Sequence, residues 1–295
     1  MLVKAYFDES HQHREVMPAS AVGAVVGTGL QWERFSDLWL AVLRHPDYDV
    51  RDKKGRRVFH TSEFETPEGR RNTVYENWSK KKREKFHNNL LHVIAFSQIR
   101  CFGASVIATE YDEVASKPAI VVLKDETVQS ERFRLFGNRY FFCAYWAMEL
   151  AASEAKRYYP KDTRVSYYFE SGGDNYRQPI DLLYKIALSD MDQDEYFRFY
   201  SAPHFGPKDS AIPLQAADKI AYECAKETSH IADVNPPEQH SEMRDGRVQW
   251  KQRYAPIYLN TLGADIHLRY WRKEHLESFF EMGERRTALP ERECG

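Results

Sequence analysis

The chain of 295 residues has a nearly balanced charge, with 42 Lys and Arg against 44 Asp and Glu, and 42% of its residues are hydrophobic. This length and apolar content are typical of a globular protein with a sizeable core and exclude general disorder. The four cysteines show neither CxxC spacing nor a disulfide framework, which argues against a thiolate zinc site or a disulfide scaffold. The sequence has no long apolar run and no signal-peptide pattern, so we expect a soluble, cytoplasmic protein.

The first half of the chain is predicted to open with a β-hairpin. The apolar runs 2–7 and 21–27 are rich in strand-forming residues and are separated by a polar stretch. Helical spacing of apolar residues then predicts helices over 31–43 and 82–96, and the apolar run 99–108 predicts a third strand.

Residues 45–81 are polar, basic and short of periodicity, and we expect them to form an insertion in the core domain. Residues 43–85 carry 13 Lys and Arg against 8 Asp and Glu. The basic stretches 51–57 and 80–85 could follow a phosphate backbone, although such charge runs more often form a solvated face.

The second half of the chain alternates helices with strands, a pattern that predicts crossover connections and parallel pairing. The predicted elements are a helix over 133–158, a strand over 165–170, a helix over 177–188, a strand over 196–200 and a helix from about residue 210. The fold class is therefore α/β, with an antiparallel opening followed by parallel strands. Residues 231–295 are predicted as a helical extension, with a final helix over 270–282 and a frayed tail.

Two carboxylates are predicted to lie at one edge of this sheet. Asp8 follows the apolar part of the first strand, and Glu170 ends the fourth strand just before two glycines. Ligand sites in parallel sheets gather at the carboxyl ends of the strands, so parallel pairing of these two strands would bring the side chains together. Either residue alone could equally end its strand by capping a turn.

A third carboxylate, Asp218, lies in the apolar helical segment 213–221. Its helical neighbours three and four positions away include no lysine or arginine, so no local ion pair compensates its charge. A cation or a hydrogen-bonding tyrosine of the core would do so. We favour the cation because Gln215 offers a second oxygen on the same face of the helix.

The segment 59–64 adds two further candidates. Glu63 is predicted as a fourth ligand, and His60 either contacts the ligand or is a buried structural histidine. Glu9 directly follows Asp8, and we expect it to point to the other side of the sheet.

Carboxylate and amide oxygens form an oxygen-only ligand set, which suits Mg²⁺ or Mn²⁺ rather than zinc. Clustered carboxylates repel each other unless one or two divalent cations neutralise them, and such cations clamp the oxygens of a reacting phosphate. The sequence contains no P-loop and no GxGxxG motif, which argues against NTPase or dinucleotide chemistry. These features predict metal-dependent hydrolysis of phosphodiesters.

Three segments taken together resemble the bacterial and phage domain-of-unknown-function family 3800. They are Tyr6-Phe7-Asp8-Glu9-Ser10, Phe59-His60-Thr61-Ser62-Glu63-Phe64 and Pro213-Leu214-Gln215-Ala216-Ala217-Asp218-Lys219-Ile220-Ala221-Tyr222. The similarity spans about residues 1–228 and implies a branch of the ribonuclease H-like superfamily.

The resemblance implies a mixed five-stranded sheet with acids on the first strand, the fourth strand and the last core helix. Asp8, Glu170 and Asp218 occupy those three places. Two positions depart from the pattern, because His11 follows the motif where glycine is usual and Glu170 stands where aspartate is commoner.

The leading hypothesis is a Mg²⁺- or Mn²⁺-dependent nuclease with a ribonuclease H-like domain over residues 1–230. Asp8, Glu170 and Asp218 would hold the metal and Glu63 would assist. A second hypothesis is a catalytically inactive relative that binds nucleic acid or a protein. A third is a host-defence or mobile-element component whose nuclease activity needs a protein partner.

Overall fold

The computed structural model describes residues 1–11, 19–52, 54–115, 138–171, 174–189, 196–234, 254–258 and 265–277. Within these ranges one mixed sheet has helices on both faces. Its strands are β1 (Leu2–His11), β2 (Ala19–Thr28), β3 (Arg100–Ile107), β4 (Arg164–Glu170), β5 (His204–Gly206), β6 (Tyr254–Tyr258) and β7 (Asp265–Trp271). The helices are α1 (Gly29–Arg44), α2 (Thr61–Glu65), α3 (Pro67–Arg70), α4 (Lys80–Phe96), α5 (Ala108–Ala115), α6 (Arg139–Tyr158), α7 (Asp174–Ser189) and α8 (Pro213–Val234).

The strand order is β5-β4-β1-β2-β3-β7-β6. Strands β1, β2 and β3 form an antiparallel meander. Strand β4 pairs in parallel with β1, and β5 pairs in parallel with β4. The prediction of an α/β fold with an antiparallel opening and a parallel second half is therefore confirmed. The long helix α6 lies between β3 and β4 in sequence, which gives the chain the length that a parallel connection needs.

The helices divide between the two faces of the sheet. One buried cluster joins residues of α1, α4 and α8, such as Trp39, Phe86 and Ile220. The other joins Phe7 with residues of α6 and α7. Successive side chains of a strand point to opposite faces, so Asp8 of β1 lies on the face that α8 covers.

The main helices begin at residues that satisfy their free backbone amides. The Thr28 side chain accepts a hydrogen bond from the Gln31 amide (3.4 Å), and the Gln31 side chain accepts one from the Thr28 amide (2.8 Å) at the start of α1. Ser79 and Asn138 similarly cap α4 and α6. These caps and the amphipathic spacing explain why the sequence predicts α1 and α4 to within a few residues.

Helix α8 lies close to the centre of the sheet because Gly23 of β2 has no side chain. A Cβ at Gly23 would lie 2.2 Å from the Ala221 nitrogen and 2.6 Å from the Ala217 oxygen. Gly23 is the pairing partner of Asp8 on β1. This close approach therefore allows α8 to carry Asp218 towards Asp8.

The predicted insertion, residues 45–81, contains α2 and α3 and supplies much of the core beneath α1 and α4. Its buried aromatic side chains are Tyr48, Phe59, Phe64, Tyr75 and Trp78. The segment is polar in composition, but these five rings anchor it to the domain.

The fifth strand lies later in the chain than the sequence predicts. The predicted strand over 196–200 is wrong, and β5 is formed by His204–Gly206. Arg198 has a φ of 55°, a left-handed conformation that interrupts an extended strand. Phe199 makes an isolated bridge with Val165 on β4.

The C-terminal extension is not purely helical, because β6 and β7 continue the sheet beyond β3. The helix predicted over 270–282 is wrong at its start, where residues 270 and 271 belong to β7; residues 273–277 are helical. No strand is predicted from the sequence in this extension, although Ile266, Leu268 and Tyr270 alternate along the sequence as the apolar residues of a strand do.

Several predictions lie outside the described residues. They are residues 12–15 of the polar stretch predicted over 10–15, the first residues of the helix predicted over 133–158, the glycine pair 172–173, the end of the helix predicted over 270–282 and the frayed tail. In the described part of the chain, no helix has the length and apolar character needed to span a bilayer.

Candidate functional site

Asp8 and Glu170 lie side by side on neighbouring parallel strands. The register pairs Phe7 of β1 with Phe169 of β4, so the residues that follow are level with each other. Carboxylate oxygens of Asp8, Glu9 and Glu170 all lie within 4.8 Å of one another. The structure thus brings together two of the acids singled out in the sequence and adds a third.

Glu9 is the member of this group that strand alternation places on the opposite face from Asp8. Its carboxylate nevertheless reaches the other two, so the expectation that Glu9 points away from them is wrong. Its backbone amide also donates a hydrogen bond to Asp8 Oδ1 (2.8 Å). Alternation describes where a side chain leaves the strand, whereas a long side chain such as glutamate can bend back towards the strand edge.

The ammonium group of Lys208 lies between Asp8 and Asp218. Its Nζ is 2.7 Å from Asp8 Oδ2 and 3.2 Å from Asp218 Oδ1. The other oxygen of Asp218 accepts a hydrogen bond from the Thr61 amide (2.7 Å). The charge of Asp218 is therefore compensated by a lysine and a backbone amide, and not by the core tyrosine that the sequence left open.

This arrangement decides where a divalent cation fits. The lysine fills the space between Asp8 and Asp218, so a cation bridging those two residues does not fit beside it. The carboxylates of Asp8, Glu9 and Glu170 form an oxygen-only set of the kind that Mg²⁺ and Mn²⁺ prefer. The residues present therefore fit one cation on the β1–β4 side of the site.

The electrostatics of the site are dominated by burial and by an excess of acids. Burial raises the pKa of Asp8 well above its usual range; Lys208 opposes this effect, while the charges of Asp218 and Glu9 add to it. Burial disfavours the charged form of Lys208, but Asp218 and Asp8 outweigh it and raise the lysine pKa. The lysine therefore stays an ammonium ion between the carboxylates of Asp8 and Asp218.

Gln215 has a structural role in the fold, and its amide is fully engaged. Its side-chain oxygen accepts hydrogen bonds from Trp39 Nε1 (2.9 Å) and from the Phe59 amide (2.9 Å). Its side-chain nitrogen donates to the carbonyl oxygens of Arg57 (3.4 Å) and Lys208 (3.2 Å). The expectation that Gln215 orients a ligand is therefore wrong, because its oxygen and nitrogen are both bonded within the protein. These bonds tie the segment before α2 and the Lys208 backbone to α8.

Glu63 and His60 lie on and beside α2, outside the group formed by Asp8, Glu9 and Glu170. Helix α2 touches Asp218 through the backbone amide of Thr61. Burial raises the pKa of Tyr75, and the nearby charges of Glu63 and Asp218 add to the shift. Glu63 thus lies in the surroundings of Asp218, but it is not placed among the other acids as a fourth ligand.

A second charged group fastens α2 to α8 next to the site. Lys219 is fully buried, and its Nζ lies 2.5 Å from Glu65 Oε1 and 2.6 Å from Glu223 Oε1. Burial and the lysine charge lower the pKa of neighbouring His87 to about 4, so this histidine is neutral at pH 7. The ammonium fills the space between the two acids, which makes this group a buried ion-pair network.

The two basic stretches differ in how much charge they leave exposed. In the stretch 51–57, Arg56 pairs with Asp52 (2.6 Å) and also with Asp209, and Arg57 pairs with Asp49 (2.5 Å). These acids largely neutralise the first stretch. Among the described residues, the stretch 80–85 has only longer, exposed ion pairs, from Lys85 to Asp47 and from Lys80 to Glu84 (both 3.8 Å). Three of its lysines line a surface cavity whose lining residues are Asp47, Tyr48, Ser79, Lys81, Lys82 and Lys85.

Lys208 was not identified as a site residue from the sequence, because its contact with the two acids depends on the tertiary structure. Lys208 precedes α8 and lies ten positions before Asp218, beyond the helical neighbours that a search along the helix considers. The site as a whole combines an oxygen-only group of carboxylates with a fixed ammonium group. Comparisons of the chain with protein-family models, with curated proteins and with solved structures found no match.

Proposed function

We propose that this chain is a Mg²⁺- or Mn²⁺-dependent hydrolase of nucleic-acid phosphodiester bonds, with strands β1 to β5 forming a ribonuclease H-like core. The observation that supports it most is the meeting of Asp8 and Glu170 on adjacent parallel strands. The antiparallel meander of β1, β2 and β3, the parallel strands β4 and β5, and the position of Asp218 on α8 also support the proposal, because the resemblance to family 3800 implies such elements.

The cation would be held by Asp8, Glu9 and Glu170. The chemistry that it supplies when bound is a more acidic water molecule and a polarised phosphoryl oxygen. The chain's own contribution is positional. The Thr61 amide and the Lys208 ammonium fix both oxygens of Asp218 next to this group, and the lysine adds a positive charge beside the place where a phosphate would lie.

A nucleic-acid strand would bind the positively charged surface of the protein at the start of α4. Lys81, Lys82 and Lys85 line the same cavity, and the Lys82 ammonium lies 4.3 Å from the centre of the Trp78 ring. Phosphate contacts from lysines of this kind give affinity without base specificity. The stretch 51–57 contributes less, because its arginines already have acidic partners.

The test is hydrolysis of end-labelled RNA, DNA and RNA–DNA hybrid in the presence of Mg²⁺, Mn²⁺ or a chelator. We expect cleavage that needs the cation and that falls at least about a hundredfold in Asp8→Asn and in Glu170→Gln, since each removes a ligand charge. Glu33→Gln changes an exposed residue of α1 and serves as the matched control. Full activity in Asp8→Asn, or cleavage unaffected by the chelator, would contradict the proposal.

A second function, binding of nucleic acid or a protein without catalysis, is favoured by one observation. Lys208 already compensates Asp8 and Asp218, as an internal counter-ion would in a site that no longer needs a metal. A ligand that binds only the folded state raises the melting temperature. An inactive relative would therefore show no rise in melting temperature with Mn²⁺, whereas the hydrolase would show one.

A further inference from the structure

We infer that Lys208 takes the place of one of the two cations that a clustered-carboxylate phosphodiesterase can hold, so that this site binds a single divalent cation. The inference rests on the proposed function. It concerns how many cations bind and which residue limits the number, and the structure supports it in three ways.

The first is the position of the ammonium group. Lys208 Nζ lies within 3.2 Å of carboxylate oxygens from two different elements, Asp8 of β1 and Asp218 of α8. In two-metal sites the cations lie roughly 3.5–4 Å apart and usually share a carboxylate. Asp8 would be the shared residue here, since it contacts the lysine on one side and belongs to the Glu9–Glu170 group on the other.

The second is the way in which the lysine is held. Its side chain is only 13% exposed, and its backbone carbonyl accepts a hydrogen bond from Gln215 Nε2 (3.2 Å). The next residue, Asp209, pairs with Arg56, and the Ser210 hydroxyl donates to the Pro207 carbonyl (2.9 Å). Contacts on both sides of Lys208 therefore fix the segment that carries it, which distinguishes it from a solvated surface lysine.

The third is charge. The Lys208 ammonium already supplies a positive charge to Asp8 and Asp218, at the place where a second cation would otherwise be needed. A second divalent cation at this place would lie against the buried ammonium group, and the repulsion between the two positive charges opposes its binding. The lysine thus sets the number of cations and keeps Asp218 in place as a positioning residue.

The experiment counts Mn²⁺ bound to the whole chain, by calorimetric titration and by the electron paramagnetic resonance signal of free Mn²⁺. We expect one Mn²⁺ per chain in the wild type and in Lys208→Arg, which keeps the charge. Lys208→Met should bind two, because it empties the space between Asp8 and Asp218. Lys226→Met, which changes a lysine that is 60% exposed on the same helix as Asp218, should bind one.

Two Mn²⁺ per wild-type chain, or one in a folded Lys208→Met variant, would overturn the inference and leave the proposed hydrolase standing. No Mn²⁺ in either protein would overturn both. If Lys208→Met does not fold, the number of Mn²⁺ ions bound by the wild type still tests the inference. Lys208→Gln, which is polar and close in length to lysine, then takes the place of Lys208→Met.

Discussion

Gly23→Ala is expected to destabilise the fold by at least about 3 kcal/mol, or to prevent folding, because its new methyl group would collide with the backbone of α8. The added Cβ would lie 2.2 Å from the Ala221 nitrogen and 2.6 Å from the Ala217 oxygen, and neither atom can rotate away. The helix would have to move off the sheet and take Asp218 away from Asp8. Urea unfolding followed by circular dichroism measures the loss.

Two further glycines make this prediction specific. In Gly29→Ala, at the start of α1, the added Cβ would have no atom within 4 Å. This substitution should therefore be neutral or stabilise the protein by up to about 1 kcal/mol. At Gly103 the added Cβ would meet the Cys224 side chain, 2.1 Å from Sγ. Cys224→Ala should therefore rescue much of Gly103→Ala but none of Gly23→Ala. A Gly23→Ala protein as stable as the wild type would disprove the packing account.

Lys219→Met is expected to cost about 3–5 kcal/mol of folding stability, because it leaves Glu65 and Glu223 facing each other without their ammonium group. The lysine has no exposed surface, so water cannot replace it. Burial raises the pKa of Glu223, but the lysine outweighs it and the net shift is downward. The stability that comes from the ionised Glu223 carboxylate is present at neutral pH, and it is lost as the pH falls through the pKa of Glu223 in the folded state.

The matched variants separate the loss of the ion pairs from the loss of packing. Lys226→Met removes a lysine that is 60% exposed and 4.0 Å from Glu223, and it should change stability by no more than about 0.5 kcal/mol. The triple variant Lys219→Met, Glu65→Gln and Glu223→Gln should recover most of the stability, since no unpaired charge remains. A triple variant as unstable as Lys219→Met would show that packing, and not charge, causes the effect.

Most helices and strands could be predicted because residues close together in the sequence determine them. Helices α1 and α4 carry amphipathic spacing and capping residues, and the first hairpin carries two apolar runs. The fifth strand was misplaced because the left-handed backbone at Arg198 has no signature in the sequence. Strand β7 was not predicted, because its pairing with β3 brings together segments more than 150 positions apart, and its last two residues were assigned to the helix predicted over 270–282.

The candidate site was predictable to the extent that it follows from strand ends and helix faces. Asp8 and Glu170 could be paired because adjacent parallel strands end at the same edge. The role of Gln215 as a fully bonded structural amide and the ion pairs of Lys208 depend on contacts between distant segments. No spacing rule predicts which loop lysine will contact two acids that lie on different elements of the fold.

The most direct test of the account is the anomalous diffraction of crystals soaked in Mn²⁺ and measured at a wavelength where manganese scatters strongly. We expect one peak, bounded by the carboxylates of Asp8, Glu9 and Glu170, with the Lys208 ammonium still between Asp8 and Asp218. A structure in which these carboxylates hold no manganese at saturating Mn²⁺ would contradict it.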